Sequence, residues 1–128
     1  MTHQIEFDPR SSTAVVVVTG ELDFDLVLGA YDEIDHRWGT EATNILWDFR
    51  IANFSRFTIK QIMAIIEKKN DESPRRQSVK SGVLVSGISE RHLMRIFSDL
   101  SGDSKPHLQI FDDSKQAMAY FDLSIELE

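Results

Sequence analysis

The chain reads as a single α/β domain on a mostly parallel sheet, and three features predict it. Apolar, β-branched runs alternate with segments whose apolar residues recur at helical spacing, the pattern of parallel strands joined by helical crossovers. The stretch Asn44–Gln61 holds that pattern in its shortest form. Ile45, Leu46 and Trp47 end at Asp48, a polar passage runs from Phe49 to Phe57, and Thr58 opens a helix. Two strands at the start, separated by one turn, read as a hairpin and add an antiparallel pair. The expected order is ββαβαβαβα, a mixed five-stranded sheet with four helices. The 128 residues form one domain, 1–128, without internal repeat, low-complexity tract or linker.

Each element has a local reason. Ile5 and Phe7 alternate with polar neighbours, as in a half-buried edge strand. Asp8-Pro9-Arg10-Ser11-Ser12 is a turn, because Pro fixes φ and Asp and Ser bond nearby backbone. Ala14–Val18 is apolar throughout, which suits a strand covered on both faces. Asp23 or Asp25 caps a helix with Val27, Ala30, Tyr31, Ile34 and Trp38 on one stripe, stopped at Gly39. Asn44–Phe49 is the third strand. Thr58–Lys69 is the second helix, with the capping-box pair Thr58 and Gln61 and the stripe Ile59, Ile62, Met63 and Ile66. Asn70–Ser78, with Pro74 and mixed charge, reads as an exposed loop. Val79–Ser86 is the fourth strand. Ser89 caps a third helix with the stripe Leu93, Ile96, Phe97 and Leu100, closed by Ser101-Gly102-Asp103. His107–Phe111 is the fifth strand. Asp113 and Gln116 repeat the capping-box spacing before a last helix with Ala117, Tyr120 and Phe121 inward, and Ser124–Glu128 is an acidic tail.

Composition excludes several classes. Fourteen Lys and Arg against twenty-one Asp and Glu leave a formal charge of −7, a poor match for nucleic-acid phosphates. The chain has no cysteine, so thiolate chemistry and thiolate metal sites are out. No apolar run approaches the ~20 residues that span a bilayer. Residues 1–10 lack the basic start and apolar centre of a signal peptide. A soluble cytoplasmic protein is the expectation. The four histidines, His3, His36, His92 and His107, show no metal spacing. Gly-x-Ser-x-Gly is absent. A non-enzymatic protein without cofactor or metal is expected.

Right-handed crossovers place the strand-to-helix loops along one rim, so Phe49–Phe57, Ser86–Ile88 and Asp112 should be neighbours. Ligands and partners meet such folds at that rim. Asp48 and Arg50 share one side of the strand end by period-two spacing, where they would orient a ligand or bond the loop backbone. Ser55 and Thr58 lie at a helix start, where a phosphate would meet free N–H groups, with Arg56 and Lys60 beside it. A capping role alone also accounts for Thr58. Ser86, Gly87 and Ser89, with Arg91 nearby, could cradle an anion, although a plain strand-to-helix turn is the better reading of one glycine. Asp112 and Asp113 fit helix capping better than a metal site. Lys68, Lys69, Arg75, Arg76 and Lys80 form a local basic patch for an anionic membrane surface or an acidic partner, diluted by Glu67, Asp71 and Glu72. Tyr31, Trp38, Phe54, Phe57, Tyr120 and Phe121 would either line an apolar cavity or form ordinary core.

Three motifs carry a resemblance: Val18-Thr19-Gly20-Glu21-Leu22 leading into a helix; Ile45-Leu46-Trp47-Asp48-Phe49-Arg50; and the run from Gln109 to Phe121, a last strand, a capped helix start and an aromatic end. In their order and spacing the chain resembles the STAS domain, the fold of bacterial anti-sigma factor antagonists. It is most similar to the stand-alone bacterial SpoIIAA-like proteins, which are compared with CRAL-TRIO lipid-binding domains. Partner-switching STAS domains carry an Asp-Ser-x-Gly step whose Ser is phosphorylated; here the stretch reads Asn53-Phe54-Ser55-Arg56-Phe57-Thr58. The resemblance therefore implies the fold and a regulatory, partner-docking role at the strand-3-to-helix-2 rim. The alternative it implies is a carrier or sensor of a lipid-like or other small apolar ligand, with peripheral membrane contact. Exposed apolar helix surface would also allow a homodimer.

Overall fold

The computed structural model describes residues 3–72, 80–100 and 108–127. Within them lie β1 (His3–Asp8), β2 (Thr13–Val18), α1 (Phe24–Arg37), β3 (Asn44–Asp48), α2 (Ile59–Glu72), β4 (Lys80–Leu84), α3 (Ile88–Leu100), β5 (Leu108–Phe111) and α4 (Ser114–Phe121). A 3₁₀ turn, Gly39–Glu41, separates α1 from β3. The strands form one five-stranded sheet in the order β1-β2-β3-β4-β5. β1 is antiparallel to β2, and the remaining pairs are parallel.

The sheet order dictates the layers. Successive strands step across the sheet in one direction, so right-handed crossovers drop α1, α2 and α3 onto one face. The register places Ile5, Val16, Trp47, Val83 and Ile110 in one row, and these residues pack under the three helices. The next row, Glu6, Val15, Leu46, Gly82 and Gln109, points to the other face by strand alternation. There Val15 and Leu46 pack with Ala117 and Phe121 of α4. A Cβ at Gly82 would stand 2.9 Å from the Phe121 ring and 3.1 Å from that of Phe111. A glycine inside a strand thus marks the close approach of an aromatic side chain.

The end of the chain returns to its beginning. Leu123, Ile125 and Leu127 extend the second apolar cluster. Between them the Ser124 amide and hydroxyl donate to the Asp8 carboxylate at 2.8 and 2.5 Å. Ser11 Oγ donates to the same group at 2.7 Å. The acidic tail is therefore docked as far as Leu127. At the same end of the sheet Asn44 ties the hairpin to β4: its amide donates to Ser11 O, and its carbonyl accepts from Lys80 N–H.

Several expectations change. α2 runs to Glu72, so residues 70–72 are helix and not loop. The remainder of the expected loop, with Pro74, Arg75 and Arg76, lies outside the described residues, as do the Lys69 side chain, Val79, Ser101-Gly102-Asp103 and His107. The buried stripe of α2 is Ile62 and Ile65 with Ile66 half-buried, while Ile59 and Met63 are exposed. In α3 Met94 is the buried residue; Leu93, Ile96 and Phe97 are half-buried and Leu100 is exposed. Both corrections have one cause: each helix lies on the sheet through a narrow stripe, and its flanks stay open. α3 begins at Ile88, and the Arg91 N–H bonds Gly87 O. Ser89 is thus inside the first turn and does not cap it.

Candidate functional site

The site is the rim at the carboxyl ends of β3, β4 and β5. Backbone pairing continues past the strands, since Phe49 N–H donates to Leu84 O and Val85 N–H to Phe111 O. Ser86 Oγ donates to Arg50 O at 2.9 Å and joins the first two loops. Arg91 Nη1 reaches Asp112 Oδ2 at 2.8 Å and joins the second and third. The three expected neighbours are thus brought together.

Asp48 and Arg50 do share one side, and they bond each other. Arg50 Nε donates to Asp48 Oδ1 at 2.9 Å and Nη2 to Oδ2 at 2.7 Å, the two-pronged geometry that suits guanidinium and carboxylate. The Arg50 N–H adds a third bond to Oδ1. The Asp48 carboxylate beside Arg50 raises the guanidinium pKa above its ordinary value, against the burial that lowers it. The pair fixes the exit of β3.

The passage from Phe49 to Phe57 is a held loop. Asn53 donates its N–H to Gly20 O and accepts at its carbonyl from Leu22 N–H. Its side chain accepts from Ser55 N–H, an Asx turn. Phe49, Phe54 and Phe57 continue an aromatic series from Tyr31 and Trp47, with centroids 5.2 to 6.0 Å apart and every contact edge-on except the tilted Trp47–Phe49 pair. Thr58 Oγ1 accepts from Gln61 N–H at 3.3 Å and caps α2. Gln61 does not close the expected capping box; its side-chain carbonyl accepts from Phe24 N–H at 2.7 Å, at the start of α1.

The other candidates have other partners. Ser55 is an exposed hydroxyl, but Arg56 points to Glu21 at 3.5 Å. Over Gly87 the space is filled by the Glu90 carboxylate, which a Cβ there would strike. With Arg91 turned to Asp112, the loop of Ser86, Gly87 and Ser89 carries its own negative charge. Asp113 caps α4 by accepting from Lys115 N–H. Lys80 lies on the α4 face, where its Nζ donates to Tyr120 O and stands over the Tyr120 ring; it does not join a solvated patch. The six aromatics do not share a cavity. Tyr31, Trp38, Phe54 and Phe57 pack on one side of the sheet, Tyr120 and Phe121 on the other. Among the described residues every buried side-chain nitrogen and oxygen has a hydrogen-bond partner. None of the described helices is long and apolar enough to cross a membrane.

Sequence reasoning missed the apolar residues that the rim holds out to solvent. Ile51, on the first loop, is 66% exposed, and Ile88, where the second loop enters α3, is 90% exposed. The signal was present for Ile88: it stands off the stripe that Leu93 and Ile96 define. Ile51 is the one branched aliphatic residue of the polar passage. No protein-family model and no curated protein matches the chain.

Proposed function

We propose that this chain is a non-enzymatic regulatory protein of STAS-like architecture, and that it docks a protein partner on the rim between β3–α2 and β4–α3. The observation that carries the reading is the pair Ile51 and Ile88. Two large apolar side chains stand in solvent, Ile51 on the β3–α2 loop and Ile88 at the first residue of α3, and the Ser86–Arg50 bond ties the β3–α2 loop to the loop that leads into α3. Loops whose backbone is already bonded lose little entropy on binding, so a small apolar contact is converted into affinity more fully. Arg50 precedes Ile51 in the chain and Arg91 lies one helical turn after Ile88, each against a carboxylate. That is the arrangement of an apolar centre with a polar border. The phosphate reading of Ser55 and Thr58 is secondary, because the cap and the Asx turn explain both residues. The apolar-carrier reading has no shared aromatic cavity to rest on.

The test compares proteins recovered with the tagged chain from its own cells, for the native sequence and for Ile51→Asp with Ile88→Asp. Both residues are exposed, so the fold should change by less than about 0.5 kcal/mol, checked by thermal melting. The expected outcome is one stoichiometric partner, lost in the double variant and kept in Gln116→Asp on α4. An identical set of proteins from all three samples contradicts the reading.

A further inference from the structure

We infer that residues 124–127 form a strap that opens and closes as a unit over the α4 side of the sheet, rooted at Leu123 and latched by Ser124 to the Asp8 carboxylate. The α4 side is covered in two parts. α4 itself packs on β4 and β5, with the Phe121 ring above Gly82. On the other half, strand alternation turns Val15 and Val17 of β2 to this side. β1 offers them no apolar cover, because Gln4, Glu6 and Asp8 are the residues that it turns the same way. Leu123, Ile125 and Leu127 pack on the cluster to which Val15 belongs. They are half-buried, while Ser124 and Glu126 between them are exposed. That is the alternation of a strand, yet among the described residues the segment pairs with no strand of the sheet.

The way the strap is held makes it separable. Asp122 and Leu123 belong to the end of α4: their N–H groups donate to Ala119 O and Met118 O, and the left-handed backbone of Asp122 turns the chain off the helix. Beyond them, among the described residues, the hydrogen bonds to the rest of the fold both start at Ser124, whose N–H and Oγ donate to Asp8 at 2.8 and 2.5 Å. The Arg10–Asp122 pair, 3.7 Å apart and exposed on both sides, adds little. A segment held by half-buried side chains and one polar contact opens at far lower cost than the strands in the middle of a sheet.

The latch still favours the closed position. Both of its bonds go to a carboxylate and are charge-assisted. Opening would leave the buried Asp8 with the Ser11 hydroxyl and the Arg10 N–H, and water would have to replace the lost donors. The fold thus has two positions, one with β2 covered and one with Val15 and Val17 uncovered. Asp8 pairs with Thr13 at the start of β2, at the opposite end of the sheet from the rim, so the strap can open without disturbing Ile51 and Ile88.

Amide exchange of the full chain, followed residue by residue in rising urea, tests this. The Ser124 amide should be protected, yet exchange at least about a hundredfold faster than the amides of β3 and with little dependence on urea, as local opening requires. Ser124→Asp keeps that amide but sets a second carboxylate against Asp8. It should cut the protection at least about tenfold, with β3 still protected, whereas Gln116→Asp on α4 should not. Ser124→Ala removes the hydroxyl bond alone and should act in the same direction, which keeps the test decisive if Ser124→Asp does not fold. The chain has no cysteine, so Val15→Cys supplies a single thiol under the strap. Its alkylation should be at least about tenfold faster when Ser124→Asp, or Ser124→Ala to a smaller degree, is added. A Ser124 amide without protection, one that exchanges with the rate and urea dependence of β3, or protection and alkylation that neither substitution changes overturns the proposal.

Discussion

Asp8 shows what one side chain can do at a distance. It is almost fully buried, yet it is charged. Burial pushes its pKa up, but the bonds from Ser124, Ser11 and the Arg10 amide outweigh burial and hold it below the ordinary carboxyl range. A lowered folded pKa means that the ionised group stabilises the fold above the unfolded value, near 3.9, and that this is lost as pH falls through the folded value. Asp8→Asn should therefore cost about 1–2 kcal/mol at neutral pH. Thermal melts of both proteins should show that difference down to about pH 5 and see it close below about pH 4. Glu33 also has a lowered pKa: burial raises it, and the bonds from Arg37 and His3 outweigh that. Both proteins share this effect, and it cancels in the comparison. The turn role of Asp8 was legible in Asp8-Pro9-Arg10-Ser11-Ser12. Its bond to Ser124, 116 positions away, was not, because no local pattern encodes a long-range hydrogen bond. Asp48 and Arg50 were legible as a same-side pair, because strand periodicity encodes it.

Among the elements, every strand and helix expected from the sequence has a counterpart in the described residues, because β-branched runs and helical stripes are local signals. Which flank of a helix is buried was less legible. Ile59 and Met63 fit the α2 stripe as well as Ile65 does by spacing alone, and only the way the helix lies on the sheet, through Ile62 and Ile65, excludes them. Gln61 shows the same limit: its spacing from Thr58 suggests a capping box, but the Thr58 amide already bonds Arg56 O and the Gln61 side chain accepts from the Phe24 amide of α1. Gly82 is the clearest prediction at this scale. Gly82→Ala would press a methyl group into the rings of Phe121 and Phe111 and should destabilise the protein by about 1–3 kcal/mol. Adding Phe121→Leu removes the nearer ring and leaves that of Phe111, so the Gly82→Ala cost measured in that background by urea unfolding should fall. An equal cost in both backgrounds would place the strain elsewhere.

For the whole molecule, the topology accounts for where function is sought. A sheet traversed in one direction puts three helices on one face and α4 with the chain end on the other. It also gathers three strand-to-helix loops into one rim. The gathering was legible, since crossover handedness decides it. The side chains that the rim exposes were not, because exposure depends on what the loops leave uncovered. The central claim is that partners meet the protein at this rim. A photoreactive residue placed at position 88, and separately at position 116 on α4, tests it inside the cell. The account predicts one discrete crosslinked protein from position 88, none from position 116, and loss of the position-88 product when Ile51→Asp is added. Equal products from both positions, or a position-88 product that survives Ile51→Asp, would contradict it.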